Sequence, residues 1–294
     1  MAVPDRTRAR GLPAARAGFA AVVVAAGVSG LALLVWPDET GQFFSWGLGP
    51  PPLASLVGGL YLASAVTFAV AIRLPWRYSR SLVAASVALT APTLIATLVH
   101  LDVFDFGRWQ ALAWLGLFMA APPFWTALLV INRAAVPRDE TRVRWPRAAA
   151  LLALAVLLVV LAIVLWADPV SGAGVLPFEP SPLGGRFIGC WAAFLAVMAT
   201  WAALRPAEAK LPLIALVAYP LGALVAGLRS LPDLSPPGAR WAYLSALALA
   251  SAVFGVWLLR TTRRGDAAGG RSETGGQRMA RRLRGRGSAV IDHS

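Results

Sequence analysis

Along the chain the ionisable residues gather into clusters, and between the clusters lie eight long uncharged runs. Their cores fall at 18 to 36, 53 to 72, 81 to 99, 109 to 132, 148 to 167, 187 to 204, 211 to 228 and 241 to 259. Each run is close to the ~20 residues a helix needs to cross hydrocarbon. Hydrocarbon cannot solvate free backbone N–H and C=O groups, so each run is predicted to be a helix that satisfies its own backbone. The apolar residues are continuous, not alternating, which excludes a β-barrel. The expected fold class is therefore all-α: a polytopic transmembrane bundle of eight helices.

Composition agrees with the pattern. The chain of 294 residues is 58% apolar and 14% charged, against ~45–50% and ~25% in a soluble domain. Eight spans consume most of the length and leave no stretch large enough for a soluble catalytic domain. Arg6, Arg8, Arg10 and Arg16 precede the first run and superficially resemble a secretory signal. That run is 19 residues long and lacks a convincing small-residue cleavage site, so it reads as a retained signal-anchor helix.

Charge then sets the expected orientation. With the N-terminus cytoplasmic, 23 of the 27 basic residues fall on inner segments, and only Arg108, Arg186, Arg229 and Arg240 lie outside. This is the bias of a plasma-membrane protein with both termini in the cytoplasm. The predicted organisation is a basic N-tail over 1 to 17, four helices over 18 to 132, a basic linker over 133 to 147, four more helices over 148 to 260, and a basic tail over 261 to 294. Low hydrophobicity and high charge predict a disordered tail. Its arginines should be drawn to anionic lipid headgroups, each by ~1 kcal/mol near the surface. No stacking or recognition module suggests a nucleic-acid partner.

The two sets of four helices look like diverged copies. At a shift of 130 residues Trp36 meets Trp166, Asp38 meets Asp168, Pro50 meets Pro180, Pro52-Leu53 meets Pro182-Leu183, and Gly59 meets Gly189. At a shift of 132, Arg73 meets Arg205 and Arg108-Trp109 meets Arg240-Trp241. Four helices per unit bring both copies in from the same side, giving a parallel repeat with its axis along the membrane normal. The chain also resembles a family of actinobacterial multi-pass membrane proteins. The likeness rests on W-P-D-E-T-x-x-F-F-x-W at 36 to 46, P-P-P-L with G-x-Y at 50 to 61, L-I-A-T-L-V-H-L-D at 94 to 102 and P-L-x5-G-x-W at 182 to 191. It implies an eight-helix arrangement and carries no activity to transfer. The scarcity of lysine, with Lys210 alone, fits a GC-rich bacterial genome.

Chemistry-bearing residues are few. Cys190 has no partner cysteine, and His100 and His293 are the only histidines, so no disulfide, structural zinc site or cofactor is expected. No Asp, Glu, Lys or Arg lies inside a predicted core, unlike coupled pumps, which keep an ionisable group in the membrane. Polar residues gather at the outer ends: Asp38, Glu39, Thr40, His100, Asp102, Asp105 and Arg108 in the first copy, then Asp168, Glu179, Arg186, Arg229 and Asp233 in the second. From these, Asp38, Glu39, Thr40, His100, Asp102, Asp105, Arg229 and Asp233 are the candidate ligand-binding residues of an outward pocket between the halves. That loops touching water are charged is the simpler account of them.

His100 and Asp105 also fit H-x4-D, in which a carboxylate orients a basic histidine. A G-x-S-x-G nucleophile is absent, and His100 otherwise reads as an interfacial residue bonded to Asp102 or a loop. Trp36, Trp46, Trp109, Trp166 and Trp241 at outer helix ends, with Trp76 and Trp145 at inner ones, suggest an aromatic belt. Gly58, Gly59 and Gly189 suggest close helix contacts. The expected function is a non-enzymatic, permease-like or ligand-binding bundle. Alternatives are an accessory subunit contacting a membrane-protein partner, or a lipid-modifying enzyme using His100.

Overall fold

The computed structural model describes residues 12–133, 145–174 and 176–260. Residues 1–11, most of the 133 to 147 linker and the tail from 261 lie outside the described residues. Eight helices are long and apolar enough to cross a membrane, and among the described residues there are no strands. They are α1 (Leu12–Val35), α2 (Pro51–Ile72), α3 (Trp76–Val99), α4 (Trp109–Ile131), α5 (Trp145–Ala167), α6 (Pro182–Leu204), α7 (Lys210–Arg229) and α8 (Pro237–Arg260). The protein is an all-α polytopic bundle.

Each predicted core lies almost wholly inside one helix, but several helices begin two to six residues earlier, as where α3 takes in Arg77 and Arg80. The first turn of a spanning helix sits at headgroup level, where arginine is tolerated, so the first charge is not where a helix starts. Proline marks the starts better. Pro51 and Pro52 open α2, and Pro182 opens α6, where a missing N–H costs nothing. The Ser181 hydroxyl caps α6 by accepting from the Gly184 N–H at 3.2 Å.

Four helices make the centre: α2 packs on α7, α3 on α6, and α6 on α7. The other four lie outside them, with α1 on α2, α4 on α3 and α5 on α6, while α8 seats Leu244 against Gly227 of α7. The closest approach is α2 to α7, where Gly59 and Gly222 face each other. A Cβ added to Gly59 would stand 2.1 Å from the Gly222 carbonyl oxygen, and the reciprocal distance is 2.3 Å. Gly30 and Gly58 bring α1 against α2 in the same way, each added Cβ lying 2.9 Å from the other's carbonyl oxygen. Lipid tails are as apolar as Leu, so close backbone approach of this kind holds spanning helices together through dispersion contacts.

Most hydroxyls in the spans are closed on their own helix, while Ser55 Oγ and Trp191 Nε1 are buried with no hydrogen-bond partner. Ser64, Thr67, Ser86, Thr90, Thr93, Thr97 and Thr200 each donate to the carbonyl four residues back, at 2.7–2.9 Å. Bonds between helices include Trp114 Nε1 donating to Thr97 Oγ1 at 3.0 Å and Tyr219 Oη donating to Ser64 Oγ at 3.2 Å.

Candidate functional site

The loop after α1 folds back over the bundle. Thr40 Oγ1 accepts the Leu48 N–H at 2.9 Å, Ser45 Oγ donates to the Gln110 carbonyl at 3.1 Å, and Arg108 donates to the carbonyls of Gly41 and Gln42. This fastening drives Trp46 into the protein. Its ring lies 4.7 Å from Trp114, 5.4 Å from Phe104 and 6.0 Å from Phe187, and Phe187 leads on to Tyr61 and Trp191. Trp46 is 4% exposed and Trp76 is 5% exposed, so neither belongs to an aromatic belt. Trp109 and Trp145, at 73% and 70% exposed, are turned outward as such a belt requires. Spacing places a tryptophan near a helix end; only the folding of its loop decides whether the ring turns outward.

Beside this aromatic plug, at the same end, is a cavity of about 660 Å³. It lies where residues 49 to 52, 177 to 181 and 233 to 235 meet, and the Ser235 N–H bonds the Pro177 carbonyl across its edge at 2.9 Å. Proline-rich loops wall it, and Glu179 and Asp233, both exposed, supply carboxylates at its rim. Pro50–Pro52 and Pro180 therefore stand across one opening, although 130 residues separate Pro50 from Pro180.

The predicted site residues do not converge there. Asp233 reaches the cavity, joined by Glu179 and by the proline loops. Asp38 and Glu39 are exposed in a short turn after α1, Arg229 is exposed in the last turn of α7, and Thr40 is buried as a loop fastener. Asp105 accepts the Gly107 N–H at 3.0 Å, an Asx turn that closes its own loop.

His100 ends α3, and its Nε2 faces Nη1 of Arg186 from α6, while Arg186 Nε donates to the Trp166 carbonyl at 3.4 Å. The partner of His100 is thus Arg186, neither Asp102 nor Asp105 as the spacing suggested. A guanidinium only donates, so Nε2 accepts and the ring is neutral. Burial first, and then the Arg186 charge, push the His100 imidazole below its ordinary 6.5, with Asp102 opposing them. Among the described residues, no three His, Cys, Asp or Glu side chains gather where a metal ion would sit.

The sign of the resulting pH dependence is fixed. The unfolded chain takes up this proton as pH falls through about 6.5, before the folded protein does, so stability is lost on going acid. Thermal unfolding of the parent should fall more between about pH 8 and about pH 5 than that of His100→Gln. Equal falls in both would assign the acid sensitivity to other groups.

At the opposite, arginine-rich end is a polar cluster that sequence spacing did not reveal. Arg80 of α3 grips Glu208, between α6 and α7, with Nε to Oε2 at 2.9 Å and Nη2 to Oε1 at 2.7 Å. Trp201 Nε1 donates to Oε2 at 2.9 Å, and the Arg80 guanidinium lies 5.1 Å from the Trp201 ring. The two charged side chains are 15% and 6% exposed. Thus α3 is tied to the second half at both ends, by His100–Arg186 and by Arg80–Glu208.

Compared with known protein families, with curated proteins and with solved structures, the chain matches none.

Proposed function

We propose that the protein is a permease-like or ligand-binding bundle of the bacterial plasma membrane, with both termini cytoplasmic and its binding cavity opening outward between two like-oriented halves. The observation that carries the reading is the cavity of about 660 Å³ where the proline loops meet. Its acidic rim lies at the end with fewest arginines, the end that arginine bias assigns to the outside. The helix pairing supports the duplication. Exchanging α1–α4 for α5–α8 turns α1 on α2 into α5 on α6, and turns α2 on α7 into α6 on α3; both partners of each exchange are packed pairs. That is the relation expected of a parallel repeat about the membrane normal. The aromatic cluster around Trp46 packs the bundle at this end and the Arg80–Glu208 pair ties the far end, so passage of a solute requires both to part. The engagement of His100 by Arg186 weighs against the lipid-modifying alternative, since the ring nitrogen a general base needs is already taken.

The test uses Ser181→Cys and Ser235→Cys, both at the opening, in a Cys190→Ser background. Both should react with a membrane-impermeant maleimide in intact cells. A compound that raises the melting temperature of the purified protein in a solute screen should protect both from labelling, and should lose its effect on Glu179→Gln and Asp233→Asn. Labelling only after lysis overturns the orientation. A screen in which no stabilising compound protects either position overturns the binding role.

A further inference from the structure

A second concavity, of about 550 Å³, opens on the membrane-facing side of the bundle, with α6 as its floor and α3 and α5 as its walls. Ala193, Ala196 and Val197 make the floor, Ala88 and Ile163 stand on the walls, and Arg205 closes one end. Small side chains keep it open. On α6 it runs from Ala193 to Arg205, a helical rise of about 18 Å. That is a little over half of the ~30 Å hydrocarbon thickness, so the groove is one leaflet deep. One end is at the bilayer centre, and the other is at headgroup level under a guanidinium.

We infer that this groove holds one anionic glycerophospholipid of the leaflet at the arginine-rich end, with an acyl chain along α6 and the phosphate on Arg205. Charge complementarity selects this occupant. Arg205 is exposed and has no carboxylate partner among the described residues. Glu208, three residues on, is committed to Arg80 and Trp201. Arg147, in the first turn of α5, lies at the same end of the helix beside α6 and adds positive charge near the mouth. A guanidinium presents paired donors that suit phosphate oxygens, and the apolar groove suits a hydrocarbon chain. The site is separate from the proline-loop cavity and does not depend on the function proposed for it.

The experiment titrates the purified full chain with phosphatidylglycerol or phosphatidylcholine and counts retained lipid by native mass spectrometry. One phosphatidylglycerol should be retained in preference to phosphatidylcholine. Arg205→Gln should weaken that retention about fivefold, the factor corresponding to ~1 kcal/mol for one basic residue near the surface. Val197→Trp should abolish it by filling the groove, and Arg133→Gln, at the same end outside the groove, should leave it unchanged. Equal retention of both lipids, or phosphatidylglycerol binding that survives Arg205→Gln but disappears when residues 261 to 294 are removed, overturns the assignment. Because the Arg205 side chain is exposed, its variant folds, so the result stands even if Val197→Trp does not.

Discussion

Gly59→Ala should be among the most destabilising single-methyl changes in the protein, and Gly59→Leu should abolish the folded bundle. The added Cβ meets a carbonyl oxygen at 2.1 Å and its carbon at 2.7 Å. Those are backbone atoms of Gly222, so no rotamer change relieves the clash; α2 and α7 must move apart. Overpacking a core typically costs 1–3 kcal/mol, and separating these two helices also forfeits dispersion contacts along the central seam. A loss of about 3 kcal/mol is expected for alanine. Gly222→Ala should behave alike, because the contact is reciprocal. Gly27→Ala is the control: its Cβ would meet nothing nearer than Ala65 Cβ at 3.9 Å, and replacing a mid-helix glycine then stabilises by about 0.5–1 kcal/mol. Thermal unfolding in detergent, followed by far-UV circular dichroism, separates the cases. Equal melting temperatures for Gly59→Ala and Gly27→Ala would show that the α2–α7 crossing is not as close as described.

Glu208→Ala should cost about 3–5 kcal/mol, the usual result of removing one partner of a buried pair. The reason is what it leaves behind. Arg80 is 15% exposed, and its guanidinium would face the bundle with no carboxylate, while Trp201 Nε1 would lose its acceptor. Arg80→Ala should cost a similar amount by stranding the carboxylate. The double variant should cost clearly less than the two single changes added together, because neither charge is then left alone. Additive losses would mean that the pair is not coupled. If the protein works as a permease, the double variant also frees α3 from the second half at this end. Leakage of small solutes through vesicles holding the double variant, but not the parent, would tie the pair to closure of the path.

How much of this was legible along the chain differs from feature to feature. The eight spans were readable because the bilayer imposes one requirement on every residue of a segment, a requirement that does not depend on what packs beside it. The proline loops were visible as a repeated motif, and their meeting at one opening matches the duplication. Asp233 was placed at the opening by its loop. Asp38, Thr40 and Asp105 were grouped with it only because they share an end of the bundle, and fold geometry sends Thr40 and Asp105 to loop closure instead. The partnership of Arg80 and Glu208 had no local signal. The two lie 128 residues apart, and at that distance in sequence a charge inside a helix start looks like any other basic residue near a membrane surface.

By itself, then, the amino-acid sequence determined that this chain is a membrane bundle of eight helices, where each helix lies, and which end is rich in arginine. The tertiary structure alone decided which helices touch, that Gly59 meets Gly222, that Trp46 turns inward, and that a lipid-sized groove ends at Arg205. The physical reason is that a helix apolar on every side carries no contrast between a buried face and a lipid-facing one. Burial therefore fixes the number of helices, and only close packing and a few polar contacts fix their arrangement.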